Sequence, residues 1–325
     1  MPYPMFDVSR LHIEPFANRE NLHRLDEMPG LDEPFEPMAS PDLCAIARDI
    51  LRARERGATV LLSMGAHVVK SGLCRFVIDL MRRGYVTHVA TNGAGPIHDF
   101  ELSRFGVTSE SVPFYIKQGR FGMWRETAEL NEAAVEGARD GIGLGEAIGR
   151  MIEREQYPNR EDSIFAMGYR LGVPVTVHVG IGYDILHEHP NFDAAATGLT
   201  SYRDFLIYAH SIERLEGGVF LNFGSAVMGP EVYLKALSMA RNVARQEGRT
   251  IADFTTAVFD LLPITGDYHE EPPKSDARYY YRPWKTILVR TVADGGRSYY
   301  VQGDHRDTIR TLWLRLKQND PRPSD

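Results

Sequence analysis

The 325-residue chain carries a formal net charge of -7 with 43% hydrophobic and 25% charged residues, an ordinary globular balance in a chain long enough to bury a large core. No basic run invites nucleic acid, no apolar stretch approaches bilayer length, and the N-terminus lacks a basic region followed by an apolar run. The expectation is therefore a cytoplasmic protein without nucleic-acid or membrane partners.

Residues 1–40 are rich in proline and acidic residues with poor periodicity, and read as an arm wrapping the core or a neighbouring subunit. A single α/β domain is expected over 41–318, with a short disordered tail at 319–325. A helix over 41–57 opens it, with Ser40 as cap and Pro41 at the first position. Val60, Leu61 and Leu62 then read as a buried strand stopping at Gly65-Ala66-His67. Leu73, Phe76, Val77, Leu80 and Met81 recur at helical spacing, and Gly84 ends that helix. Val86 to Ala90 forms a second strand that breaks at Thr91-Asn92-Gly93. Cys44 and Cys74 form neither a disulfide framework nor a zinc pattern, and Cys74 beside the helix face reads as a packed thiol.

Residues 105–160 read as a helical insertion. The "GIGLGEAIG" within it follows a polar stretch, not a strand, so its glycines are assigned to helix packing instead of a dinucleotide loop. A helix over Asp162–Gly172 follows. "VPVTVHVGIG", "GGVFLNFGSA", "DFTTAVFDLL", "KTILVRTV" and "SYYVQG" read as strands, with a helix opening at Pro230 between the second and third. A last helix carries Ile309, Leu312, Trp313 and Leu316. Nearly continuous apolar strands alternating with helices predict a doubly wound, mostly parallel sheet with helices on both faces. Ligands in such sheets bind outside the carboxyl ends of the strands, where this chain places its small and polar residues.

"GAHVVKSG" followed by "ATNGAGPIHDFE", together with "YYYRPWKTILVR", resembles the deoxyhypusine synthase family, in a bacterial branch, from about Thr59 to about Leu316. The resemblance implies NAD as cofactor, with Gly65, Ala66 and His67 in the first contacting turn and Thr91, Asn92 and Gly93 in the second. His98 stands where the family has an acidic contact. Gly224 and Ser225 end a later strand in the same way, and Asp304 matches a late aspartate near the cofactor. Small residues at such turns let a pyrophosphate approach backbone N–H groups.

The resemblance also implies an aminoalkyl (aminobutyl) transferase using a polyamine such as spermidine, with the acceptor a protein lysine or a second small amine. The family's catalytic lysine matches Lys285, beside Trp284, and a substrate-pocket aspartate matches Asp184. By this resemblance Lys285 captures the oxidised amine as an imine; desolvation favours the neutral, nucleophilic form of an amine. A homotetramer with sites at subunit interfaces is implied as well. The pattern departs at Gly229, where the family has a histidine, and at Tyr279 to Tyr281, where it has a glutamate. Two readings from other classes remain open. His178, Asp184, His187 and His189 could serve a metal-dependent amidine or amide hydrolase, or the fold could bind a nucleotide without turnover.

Overall fold

The computed structural model describes residues 3–322. Six parallel strands form one sheet: β1 (Val60–Met64), β2 (His88–Asn92), β3 (Val175–His178), β4 (Val219–Phe223), β5 (Thr255–Asp260) and β6 (Arg297–Gln302). Their spatial order is β3-β2-β1-β4-β5-β6, all in parallel register, the expected doubly wound topology. The winding reverses between β1 and β4, so the carboxyl ends of these two strands flank the switch-point crevice.

Alternation across the pleat divides the apolar side chains between two cores. Val60, Leu62 and Met64 of β1 face one layer with Val219, Leu221 and Phe223 of β4, while Leu61 and Phe220 face the other. The first layer is closed by α1 (Pro41–Glu55), α2 (Cys74–Arg82) and α9 (His305–Asn319). Ser40 caps α1, its hydroxyl accepting the Leu43 N–H at 3.2 Å, with Pro41 in the first turn as expected. The second layer is closed by α7 (Ala194–Ile212) and α8 (Met228–Gln246), where Tyr233 stacks on Phe220 at 4.1 Å.

The long connection from β2 to β3 carries α3 (Ala94–Phe105), α4 (Glu129–Asp140), α5 (Leu144–Arg154) and α6 (Ile164–Leu171). Its glycine-rich stretch packs as expected: a Cβ on Gly145 would lie 1.6 Å from the Val175 carbonyl oxygen, so the helix sits directly on β3. The arm folds back over this chain's own insertion. Glu14 and Met123 share a backbone hydrogen bond of 2.8 Å, and His23–Arg24 pairs antiparallel with Val107–Thr108.

Three expectations need correction. "KTILVRTV" is not a strand: Trp284–Arg290 is a π-helical turn, its wide pitch closed by the Thr291 N–H donating to the Thr286 carbonyl at 3.2 Å. Trp284, Ile287 and Leu288 point together into the second core, so the apolar run is helical in period despite its β-branched members. The second strand is displaced by two residues, because Asn92 still pairs with His178; Thr91 and Asn92 therefore end β2 instead of forming the turn. The tail is tied down at its start. Asn319 closes α9, and the Asp320 carboxylate accepts from Arg54 at 2.8 Å and the Tyr85 hydroxyl at 2.7 Å; residues 323–325 lie outside the described residues. Among the described residues no helix is long and apolar enough to cross a membrane.

Candidate functional site at the carboxyl edge of the sheet

Strand ends, loops and the arm converge at the carboxyl edge around β1, β2 and β4. At the crevice itself Gly65 follows β1 and packs so closely on the turn after β4 that a Cβ would lie 2.7 Å from the Gly224 carbonyl oxygen. Gly224 turns at φ +60°, a conformation that favours glycine, and a Cβ there would also meet the His305 ring at 2.4 Å. Ala66 is half-buried and His67 exposed at the start of a short helix, His67–Lys70. Ser225 receives the Gly229 N–H at 2.8 Å and so anchors the entry into α8. Asp304 caps α9 by accepting the Arg306 N–H at 2.8 Å, and the next residue, His305, brings its ring within 6.2 Å of His67. Burial and the neighbouring His67 lower the His305 pKa, so its ring is neutral near pH 7.

Several polar atoms at this edge are buried without any partner among the described residues: Thr91 Oγ1, Asn92 Oδ1, Asn222 Oδ1 and His305 Nδ1. Native interiors seldom leave such groups unpaired, because each lost hydrogen bond costs on the order of 1–3 kcal/mol. They sit at two strand ends, β2 and β4, and at the start of α9, where a bound ligand could pair them.

Beside the crevice, under the α3 face that carries Ile97, His98 and Glu101, lies a cavity of about 200 Å³. Asp184 forms part of its wall and also packs over the start of α3, where a Cβ on Gly93 would lie 2.1 Å from the carboxylate. Burial pushes the Asp184 pKa up to about 6. Glu110, on the same wall, is raised by burial as well, although it accepts from the Trp124 indole N–H at 2.9 Å and the Gly122 N–H at 3.1 Å. Glu188 lies close enough for its charge to feel Glu110, and burial pushes it up to about 7. The arm supplies Arg19, whose guanidinium pairs with Glu101 at 2.7 Å with both side chains 1% exposed. Arg19 Nη2, Ser109 Oγ and Glu110 Oε2 remain without partners among the described residues, and Ser109 holds a left-handed φ of +66°. His98 donates or accepts at Thr108 over 2.8 Å, and burial holds it down to about 4, so it is neutral.

His98 and Asp184, expected at separate points of the site, thus line one cavity, and Gly65, Gly93 and Gly224 share one edge. Lys285 and Trp284 do not join them. The Lys285 ammonium sits 3.7 Å from the centre of the Tyr279 ring and 5.8 Å from that of Tyr280, and the Trp284 indole donates to the Glu270 carbonyl at 3.0 Å. Their turn packs against β5 and β6, whereas Asp184 covers the end of β2. Those strands lie three and four places from β2, about 14 and about 19 Å at the usual spacing. Arg19, Ser109 and Glu110 were not singled out in the sequence. Arg19 lies in an arm without periodicity and Glu110 in a polar loop, and only the fold brings them to the α3 face.

The histidines around Asp184 do not converge. His178 bonds the Thr176 hydroxyl at 3.1 Å, His187 Nδ1 accepts the Asp184 N–H at 3.2 Å, and His189 bonds the Gly122 carbonyl at 2.9 Å. Among the described residues no three His, Cys, Asp or Glu side chains gather as a metal site, so this geometry does not support the hydrolase reading.

No family model matches the chain, and no curated protein matches it. Solved structures share its fold. The cyanobacterial arginine dihydrolase ArgZ superposes with a TM-score of 0.51 at 14% identity, over 87% of this chain and 33% of that chain. AgrE, as a point mutant in binary complex with L-arginine, gives 0.52 at 15% identity over 86% of this chain and 34% of its own. A conserved protein from Methanococcus maripaludis S2, provisionally assigned as LOR/SDH, gives 0.51 at 13% identity over 88% and 74%. The chain spans about a third of the length of the first two. At these identities the likeness establishes a shared α/β fold and leaves the chemistry to the site.

Proposed function

We propose that the chain is an NAD-dependent enzyme acting on an amine, and more specifically an aminoalkyl transferase of the deoxyhypusine synthase kind. The observation that carries the dinucleotide is the row of unpaired buried atoms, Thr91 Oγ1, Asn92 Oδ1, Asn222 Oδ1 and His305 Nδ1, at the carboxyl edge of a 3-2-1-4-5-6 sheet. The turns Gly65–Ala66–His67, Asn92–Gly93 and Gly224–Ser225 would hold the cofactor, with Asp304 at the rim. NAD supplies the capacity to accept and return a hydride.

The chain's own residues supply recognition. Asp184 and Glu110 line the cavity as carboxyls raised by burial, Glu110 despite Arg19 at 3.9 Å, so further counter-charge would suit them. A protonated amine entering the cavity would provide it, and a charge-assisted pair in a low-dielectric pocket is stronger than one in water. Lys285 is the nucleophile in this reading, with the acceptor amine either a small molecule or a protein lysine. Because Asp184 and Lys285 stand apart within one chain, the complete site draws on a second copy in a homo-oligomer.

The experiment is turnover with spermidine and NAD under borohydride, followed by peptide mass spectrometry. An aminoalkyl adduct is expected on Lys285 of the wild type. Lys285→Arg keeps a cation over Tyr279 but cannot form an imine, so it should fold, bind NAD and lose transfer. Full turnover by Lys285→Arg would rule out the covalent lysine.

A further inference from the structure

A second cavity, about 230 Å³, opens on the other side of the short helix, between the arm and α9. Its walls carry His23 and Arg24 from the arm, Lys70 from the short helix, and Arg306 and Arg310 from α9. Two acids share the walls: Glu27 lies 3.9 Å from Arg24, and Glu33 accepts the Gly30 N–H at 3.3 Å. Arg24 is taken by Asp26 through contacts of 3.1 and 3.0 Å. Lys70 and Arg306 are cations without a paired acid among the described residues. Lys70, Arg306 and His23 have no side-chain hydrogen bond among the described residues, and Arg310 donates to the Glu33 carbonyl at 3.3 Å and lies 4.2 Å over the Phe35 ring, its Nε buried without a hydrogen-bond partner.

We infer that this cavity binds a phosphate group. Donors arrive from three separate elements, which suits the several oxygens of a tetrahedral anion better than the two coplanar oxygens of a carboxylate. The volume exceeds that of one phosphate, so the group is carried as a pyrophosphate or on an organic body. Four full cations, Arg24, Lys70, Arg306 and Arg310, against two carboxylates leave an excess of positive charge on these walls in a chain of net charge -7. Its effect registers on His23, whose pKa is lowered by burial and then by Lys70, Arg306 and His67.

The test is calorimetric titration of the full chain with inorganic pyrophosphate in phosphate-free buffer. Saturable binding is expected, weakened roughly tenfold or more by Arg306→Gln, the loss of one charge-assisted contact, and abolished in Lys70→Gln/Arg306→Gln. Arg245→Gln, at an exposed position on α8, removes the same charge elsewhere and should change nothing. No saturable binding, or equal weakening by Arg245→Gln, would overturn the inference. Parallel titrations with NAD and NADP separate the sources. A loss confined to NADP in Arg306→Gln assigns the phosphate to the dinucleotide, and unchanged affinity for both assigns it to a free phosphate compound. NAD binding by the wild type is read in the same series, so a failed cofactor reading is distinguishable from a failed phosphate site.

Discussion

Asp184 shows at one residue how a carboxyl buried without a counter-charge opposes stability. Its folded pKa of about 6 exceeds the ordinary 3.8 because the carboxyl is buried without a matching cation. Between those values the folded chain holds more proton at this site than the unfolded chain, so its contribution favours folding at low pH and is lost as pH rises through about 6. Asp184→Asn should therefore stabilise the fold at about pH 8 by up to about 3 kcal/mol, raising the melting temperature there, and leave it unchanged at about pH 3. The same variant should lose amine affinity. In the wild type that affinity should climb as pH rises through about 6, where the carboxylate forms. Calorimetry with spermidine across this range checks both; a flat profile would remove Asp184 from the pocket.

Among elements, those that repeat a period were legible and those that depend on what covers them were not. The Val60–Met64 strand and the α2 helix are written in apolar spacing, and the α1 cap in Ser40-Pro41. The Trp284–Arg290 turn was misread because an apolar, β-branched run fits a buried strand as well as a buried helix until its partners are known. The arm was legible only as irregular sequence, since nothing local announces that Arg19 will pair with Glu101 across 82 positions. That pair makes the arm part of the site. Removing one partner of a buried ion pair leaves the other uncompensated, at a cost of about 3–5 kcal/mol. Arg19→Met should show such a loss in denaturant unfolding. Arg19→Met/Glu101→Gln should recover much of it, and equal loss in single and double variants would show that the pair is not the cause.

At the scale of the whole molecule, the sheet order explains why strand-end turns distant in sequence share one edge, and also why Lys285 is remote from Asp184. The residues expected to cooperate were identified by likeness to a family, and likeness does not report which copy of the chain each serves. If one copy supplies Asp184 and another supplies Lys285, then co-assembled Asp184→Asn and Lys285→Arg chains should recover a fraction of wild-type activity, while each variant alone is inactive. Absence of recovery in a proven mixed oligomer would place both residues within one chain's site.

The central claim is that the carboxyl edge around β1, β2 and β4 receives a dinucleotide. It is tested most directly by following the melting temperature of the purified chain as NAD is titrated. A ligand that binds only the folded state stabilises it by mass action, so the account predicts a saturable rise. Ala66→Trp, which fills the mouth of the crevice from a half-buried position, should abolish that rise while the chain still folds. A folded wild-type protein that shows no shift with NAD, or a shift that Ala66→Trp leaves intact, would contradict the assignment of this edge.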